Sequence, residues 1–317
     1  MKTIYVVTGQ TATGKTDYAL ELAQKHNGEM INFDARQIYK ELDIVTGKDI
    51  NHGVFNPVET INGFDIGYYS IQLENGSTKI WLYDILTPDK TFSSIEYANL
   101  GLHVIKKIVD AGKTPIIVGG TYFYLMHLLY NAPDFDTSIN WDKRNELEDK
   151  SVEELQKLLQ EKNLAAYEGM NNSDRNNPRR LIRRIEVLDT VDPESFTSSQ
   201  IRKDISLGKK LQIEDIKISI TGFYREDRDK TRTVIEKRVL KRIEQGAIDE
   251  TRHLLTKYLP SSPGLKSIGY PQIIEYLEKH TTKEQLIEDW IKKEYQYAKR
   301  QYTFMKTDNN ISWKNIP

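Results

Sequence analysis

Gly9-Gln10-Thr11-Ala12-Thr13-Gly14-Lys15-Thr16, directly behind the apolar run Ile4-Tyr5-Val6-Val7, decides how the rest of this chain is read. Two glycines separated by four residues and followed by Lys-Thr form a phosphate-cradling pattern. Glycine lets the backbone curl until the N–H groups of Gly9, Thr11, Ala12, Thr13 and Gly14 converge on phosphate oxygens. Lys15–Asn27 has helical spacing (Ala19, Leu22, Ala23), so a helix points its positive end at the same anion. Lys15 adds a full charge, and the Thr16 hydroxyl is the expected Mg²⁺ ligand. The pattern does not say which phosphate compound is held.

Outward from this loop the chain reads as a doubly wound α/β domain. Helix 1 is expected to stop at Gly28 in a left-handed turn. A short strand, Met30-Ile31-Asn32-Phe33, delivers Asp34 to its C-terminal end, the edge where ligands sit in open parallel sheets. Phe64–Leu73 and Lys79–Leu86 flank Asn75-Gly76, a tight-turn signal that predicts a hairpin. Ser93 with Glu96 predicts a capping box opening a helix that runs to Gly112. Thr114–Val118 is a buried strand ending in Gly119-Gly120-Thr121, followed by a helix from Tyr122. Beyond Asn131-Ala132-Pro133 the chain becomes charged and helical from Asp142 to about Asp189. Residues 192–212 read as a polar linker, Ile216–Tyr224 as a strand, and Arg228–Tyr258 and Pro271–Lys306 as helical blocks. The expected architecture is a P-loop NTPase-like parallel sheet core, 1–138 and 212–317, interrupted by a mostly helical insertion, 139–211.

Composition narrows the function class. The 317 residues suffice for a large core, and a formal charge of −1 excludes a uniformly basic coat. With 45 Lys+Arg against 46 Asp+Glu, a segregated basic face is still allowed. There are no cysteines, which removes disulfides, Cys-ligated zinc and thiol catalysis. No apolar run approaches membrane-spanning length, and the first strand begins at once, leaving no signal peptide. A soluble cytoplasmic protein that does not bind membranes is expected.

Several positions carry candidate chemistry. Asp34 reads as a general base or a carboxylate near the metal, against a surface turn or helix cap. Asp84, after Ile80–Tyr83, reads as the acidic partner of the metal in place of Asp34 or as a turn residue before Thr87-Pro88. Thr121 offers a hydroxyl at the glycine-lined sheet edge. Arg175–Arg184 holds five arginines with only Asp174 and Glu186 close by in sequence, which suits either phosphate-backbone contact or a paired helix face. A second basic stretch from Arg225 to Arg242 alternates with acids and reads as helix surface.

Together these residues resemble the tRNA dimethylallyltransferase (tRNA isopentenyltransferase) family nearly end to end. The resemblance rests on Gly9–Thr16, Asp34-Ala35-Arg36-Gln37-Ile38-Tyr39, Leu42-Asp43-Ile44, Asp84-Ile85, Val118–Thr121, Pro178–Arg183 with Ile185-Glu186-Val187, Ser267–Tyr270 with Gln272, Ala298-Lys299-Arg300-Gln301 and Trp313. Gln10 departs from the usual proline, Ala35 from a common serine, and Asp49 from a proline. The Asn75-Gly76 hairpin makes its connection longer than the family pattern.

The resemblance implies transfer of a dimethylallyl group from its diphosphate to N6 of the adenine 3′-adjacent to the anticodon. It implies Asp34 as the catalytic base, Thr121 at the oxygen bridging prenyl group and diphosphate, and Arg228 as a diphosphate-contacting arginine. It places tRNA contacts on Asp34, Ala35, Arg36, Gln37 and Thr121, and on Arg144, Arg179, Arg180, Leu181, Ile182 and Arg183. Lys266, Ser267, Ile268, Gly269, Tyr270 and Pro271 complete that set. The implied partners are the tRNA anticodon stem-loop, dimethylallyl diphosphate and Mg²⁺, and the protein is expected to work as a monomer. The rival expectations are prenylation of free adenine nucleotides, a small-molecule kinase using the loop for ATP, and a nucleotide-switch module. The last lacks an Asn-Lys-x-Asp motif.

Overall fold

A computed structural model describes residues 2–48, 53–130, 141–189 and 204–317. The chain divides into two compact units, Met1–Leu129 with Ser206–Pro317, and Tyr130–Ile205.

The first unit is built on β1 (Lys2–Gly9), whose second half is wholly buried, as its β-branched run requires. It sits between β6 (Thr114–Val118) and β7 (Ile216–Tyr224) in an eight-stranded sheet of order β3-β4-β5-β2-β6-β1-β7-β8. β2 is Gly28–Asn32, β5 is Gly76–Trp81 and β8 is Ile311–Asn315. From β5 to β8 every pairing is parallel, so the ends of β1, β2 and β6 open on one edge. At the other margin β3 (Asn56–Ile61) and β4 (Phe64–Leu73) run antiparallel, as does the β4–β5 hairpin.

Helices cover the sheet. α1 (Lys15–His26) buries Ala19, Leu22 and Ala23 against Val7, Met30, Ile80 and Ile116. α2 (Ser94–Asp110) opens with the expected capping box, Ser93 accepting from Glu96 N–H and Glu96 accepting from Ser93 N–H. It packs on α3 (Tyr122–Leu129). The helix-1 stop differs from expectation. Asn27 takes the left-handed position at φ 48°, and Gly28 begins β2. A Cβ on Gly28 would meet Thr114 O at 2.8 Å, so that glycine serves strand packing. The predicted Lys79–Leu86 strand also shifts, to Gly76–Trp81, because Leu82 and Asp84 turn left-handed at φ 64° and 55°.

The second unit is helical: α4 (Trp141–Glu148), α5 (Val152–Lys162), α6 (Leu164–Glu168), α7 (Asn172–Arg175) and α8 (Pro178–Leu188). Leu147, Leu155, Leu159, Leu181, Ile182 and Ile185 form its core. Its edges, Tyr130 and Ile205, both fall before the expected 139 and 211. Tyr130 and Ile205 are antiparallel bridge partners. α9 (Leu207–Leu211), inside the stretch read as linker, buries Leu207 and Leu211 in the first unit. Residues 192–203 of that stretch, and Asp49, lie outside the described residues.

Four further helices complete the first unit: α10 (Arg228–Glu244), α11 (Ala247–Leu254), α12 (Tyr270–Leu277) and α13 (Lys283–Met305). No described helix is long and apolar enough to cross a membrane.

Candidate active site

The loop after β1 wraps on itself. Ala12 and Gly14 are left-handed, φ 59° and 73°, the alternation that turns successive N–H groups to one side. Gln10 O accepts from Thr13 Oγ1 at 2.7 Å and from the Lys15 ammonium. Burial, and next the like charge of Arg238, bring the Lys15 pKa down to about 7 against the opposing pull of the Asp34 carboxylate. Gly9 belongs to the strand rather than to the cradle. A Cβ there would lie 2.0 Å from Phe223 O, so glycine is what lets β1 and β7 close up.

A cavity of about 550 Å³ opens over this loop, within the first unit. Thr11 to Asp17 form one wall. Asn32, Asp34, Arg36 and Gln37, just beyond β2, form a second, with Val118, Gly119 and Gly120 from the end of β6. The Asp34 turn is pinned locally: Asp34 N–H donates to Asn32 Oδ1 and Arg36 N–H to Asp34 Oδ1, both at 2.9 Å. Thr121 Oγ1 accepts from Ala35 N–H at 2.9 Å and bonds Tyr297, a lining residue whose hydroxyl pKa is raised by burial and then by Asp34.

The third wall comes from late in the chain: Arg238 and Arg242 on α10, Lys266-Ser267-Ile268, and Glu294, Tyr297 and Arg300 on α13. Arg238 Nη1 donates to Thr11 Oγ1 at 3.0 Å, and buried Arg242 pairs Glu294 at 3.0 Å. Six cationic side chains (Lys15, Arg36, Arg238, Arg242, Lys266, Arg300) and three carboxylates (Asp17, Asp34, Glu294) line the cavity. Such an excess beside backbone donors suits a polyanion.

Several expected residues lie elsewhere. Arg228 is exposed at the first turn of α10 and does not line the cavity, while Arg238, read as helix surface, does. Asp84 is buried, its carboxylate accepting from Lys48 and from the Tyr69 hydroxyl. Both oxygens are occupied, and the residue anchors the loop instead of facing the cavity. Tyr270 is wholly buried and donates to Glu250 at 2.7 Å, which makes it a core residue rather than a surface contact. Gly269, at φ 106°, and Pro271 open the same helix.

In the second unit Leu181 and Ile182 are core, because α8 is strongly amphipathic and turns that stripe inward. Arg144 and Arg183 both donate to the buried Glu186 at 2.9 Å, and Arg180 pairs Asp174. Arg179 is exposed.

Other contacts carried no signal in the sequence. Gly47, at φ 67°, abuts both guanidiniums: a Cβ there would lie 2.6 Å from Arg242 Nη2 and 2.8 Å from Arg238 Nη2. Gln10 accepts from Arg225 N–H at 2.7 Å and donates to Ala298 O at 3.4 Å. Ala298–Gln301, which the sequence offered only as part of the family resemblance, is where α13 reaches the loop.

For Mg²⁺, the Thr16 hydroxyl is exposed in the cavity wall beside Asp17. Among the described residues no cluster of three or more acidic or histidine ligands occurs. That sparse set fits an ion that takes few protein ligands and completes its shell with phosphate oxygens and water.

The comparisons with known proteins agree in kind. Residues 62–308 match the family model described as IPP transferase, and residues 2–56 the one described as isopentenyl transferase. A tRNA dimethylallyltransferase of Acetivibrio thermocellus is 34% identical over 321 residues, 99% of this chain and 92% of that protein. One from Staphylococcus epidermidis is 32% identical, covering 98% and 86%. The crystal structure of the full-length tRNA isopentenylpyrophosphate transferase from Bacillus halodurans superposes with a TM-score of 0.63 at 27% identity, covering 99% of this chain and 89% of that one. A eukaryotic dimethylallyltransferase acting on tRNA reaches 0.76 at 23% identity, covering 99% and 74%, and shares the fold.

Proposed function

We propose, from the premise that this chain belongs to the IPP transferase family, that it is a tRNA dimethylallyltransferase. It transfers a dimethylallyl group from dimethylallyl diphosphate to N6 of the adenine 3′-adjacent to the anticodon. The observation that carries the mechanism is that Lys15 and Asp34 line one cavity, close enough for the carboxylate to act on the ammonium's pKa.

An exocyclic adenine amine is a poor nucleophile, because its lone pair is delocalised into the ring. As the N6–carbon bond forms and the carbon–oxygen bond to diphosphate breaks, the N6 proton passes to the Asp34 carboxylate. Charge accumulates on the departing diphosphate, where loop N–H groups, Lys15 and Arg238 stabilise it. Thr16 would hold Mg²⁺, which supplies further neutralisation of that charge when bound. The loop therefore holds a leaving group and hydrolyses no nucleotide. The base has to leave the anticodon stack to reach this cavity. The helical unit contributes phosphate contacts to tRNA through Arg179 and its neighbours.

Incubation with labelled dimethylallyl diphosphate, Mg²⁺ and unmodified tRNA, then digestion to nucleosides, should yield isopentenyladenosine. Transfer to AMP in preference to tRNA, or ATP turnover without prenyl donor, would replace this reading with another. Asp34→Asn keeps an acceptor for Arg36 N–H but removes the base. It should cut kcat by about 10²–10⁴-fold while tRNA binding persists.

A further inference from the structure

We infer that Gln301, on α13, is a positioning residue for the transfer: its side-chain amide sets the spacing between the phosphate-gripping loop and the segment that carries Asp34. The inference rests on the prenyl-transfer reading and names a residue that acts through others.

Gln301 is buried, and both ends of its amide are used. Oε1 accepts from Thr11 N–H at 2.8 Å, and Nε2 donates to Gly120 O at 3.0 Å. The next residue, Thr121, accepts from Ala35 N–H at 2.9 Å, and Arg36 N–H closes on Asp34 Oδ1 at 2.9 Å. A chain of short hydrogen bonds thus runs from the loop to the carboxylate, through one side chain in the middle. One end of that side chain must accept and the other must donate, which an amide does and neither a carboxylate nor an apolar group can.

Gly120 is shaped to fit it. A Cβ there would lie 2.3 Å from Gln301 Nε2, so any side chain at 120 forces the amide to shift. Thr11 N–H is also withdrawn from phosphate binding by this contact, while Thr11 Oγ1 accepts from Arg238. The loop's placement is therefore governed by α13, and with it the separation of leaving group and base. Displacement at carbon needs those groups aligned, and a misplacement near 1 Å costs on the order of 10²-fold in rate.

The test uses Gln301→Met and Gly120→Ala in the full chain, with Thr78→Val as a control that loses a buried bond to Gly28 O remote from the cavity. Both site variants should lower kcat by roughly 30-fold with pyrophosphate Kd within about threefold. Thr78→Val should lower Tm while leaving kcat unchanged. In an Asp34→Asn background, Gln301→Met should change kcat by less than about threefold, because spacing to an absent base no longer matters. If kcat stays within twofold of the unaltered protein, or the Gln301→Met loss repeats in full in the Asp34→Asn background, the inference fails alone. If Gln301→Met does not fold, Gly120→Ala decides. Absence of transfer by the unaltered protein would overturn the prenyl-transfer reading and this inference with it.

Discussion

Lys15 shows how much chemistry one side chain can report. Its pKa of about 7 reflects burial and the adjacent Arg238. A bound diphosphate brings opposing charge, raises that pKa and draws in a proton. Binding thus prefers the protonated lysine. The Lys15 contribution is full below pH 7 and fades as pH rises through 7 toward the higher pKa of the complex. Pyrophosphate affinity should fall about tenfold more between pH 6 and pH 8 in the unaltered protein than in Lys15→Met, measured by titration calorimetry. Gly47 makes a second residue-scale case. Gly47→Ala would strain a left-handed backbone and push two guanidiniums aside, so KM for the prenyl donor should rise at least about fivefold. Lys15 was legible because its motif is local. Gly47 was not, because its partners lie about two hundred residues away and nothing beside it marks the contact.

Whole elements show why the two candidate arginines of α10 are not equivalent. Arg228 and Arg238 share α10, but ten residues set them about 15 Å apart along its axis. Only the later one reaches Thr11. Alternation of acids and bases along this helix hides that difference, since it looks the same on a solvated face. Arg238→Gln should weaken pyrophosphate binding by about tenfold or more, whereas Arg228→Gln should leave it within twofold, as read by the same calorimetry. Strand β3 was missed for another reason. The Asn62-Gly63 turn that opens its hairpin was present, with φ of 51° and 82°, but Pro57 and a register shift disguise the alternation. The β4–β5 hairpin, which turns at Glu74-Asn75 with Gly76 already opening β5, the Ser93 capping box and β7 were all legible, because each is specified by residues next to one another.

Across the whole molecule, the P-loop core could be read from its motif order, and the near-neutral charge correctly allowed a local cationic cavity. The arginine run was harder, because composition cannot say which arginines are spent internally. Within the run, Arg183 is held by the buried Glu186, which Arg144 from outside the run also pairs, and Arg180 is held by Asp174. Arg183→Glu should therefore lower Tm as well as tRNA affinity, by setting a second carboxylate against a buried one. Arg179→Glu should leave Tm unchanged, weaken tRNA binding and reduce the slope of log K against log salt by about one.

The partnership of β1 with β7 has a further outcome. Lys2 to Gly9 align with Ile216 to Phe223, so this edge of β1 waits for a strand made some two hundred residues later. At roughly 5–20 residues per second, that delay spans roughly 10–40 s. During that interval the β7-facing edge of β1 stays open, even once β6 can close the other, and such a β-branched edge has to be kept from stray pairing.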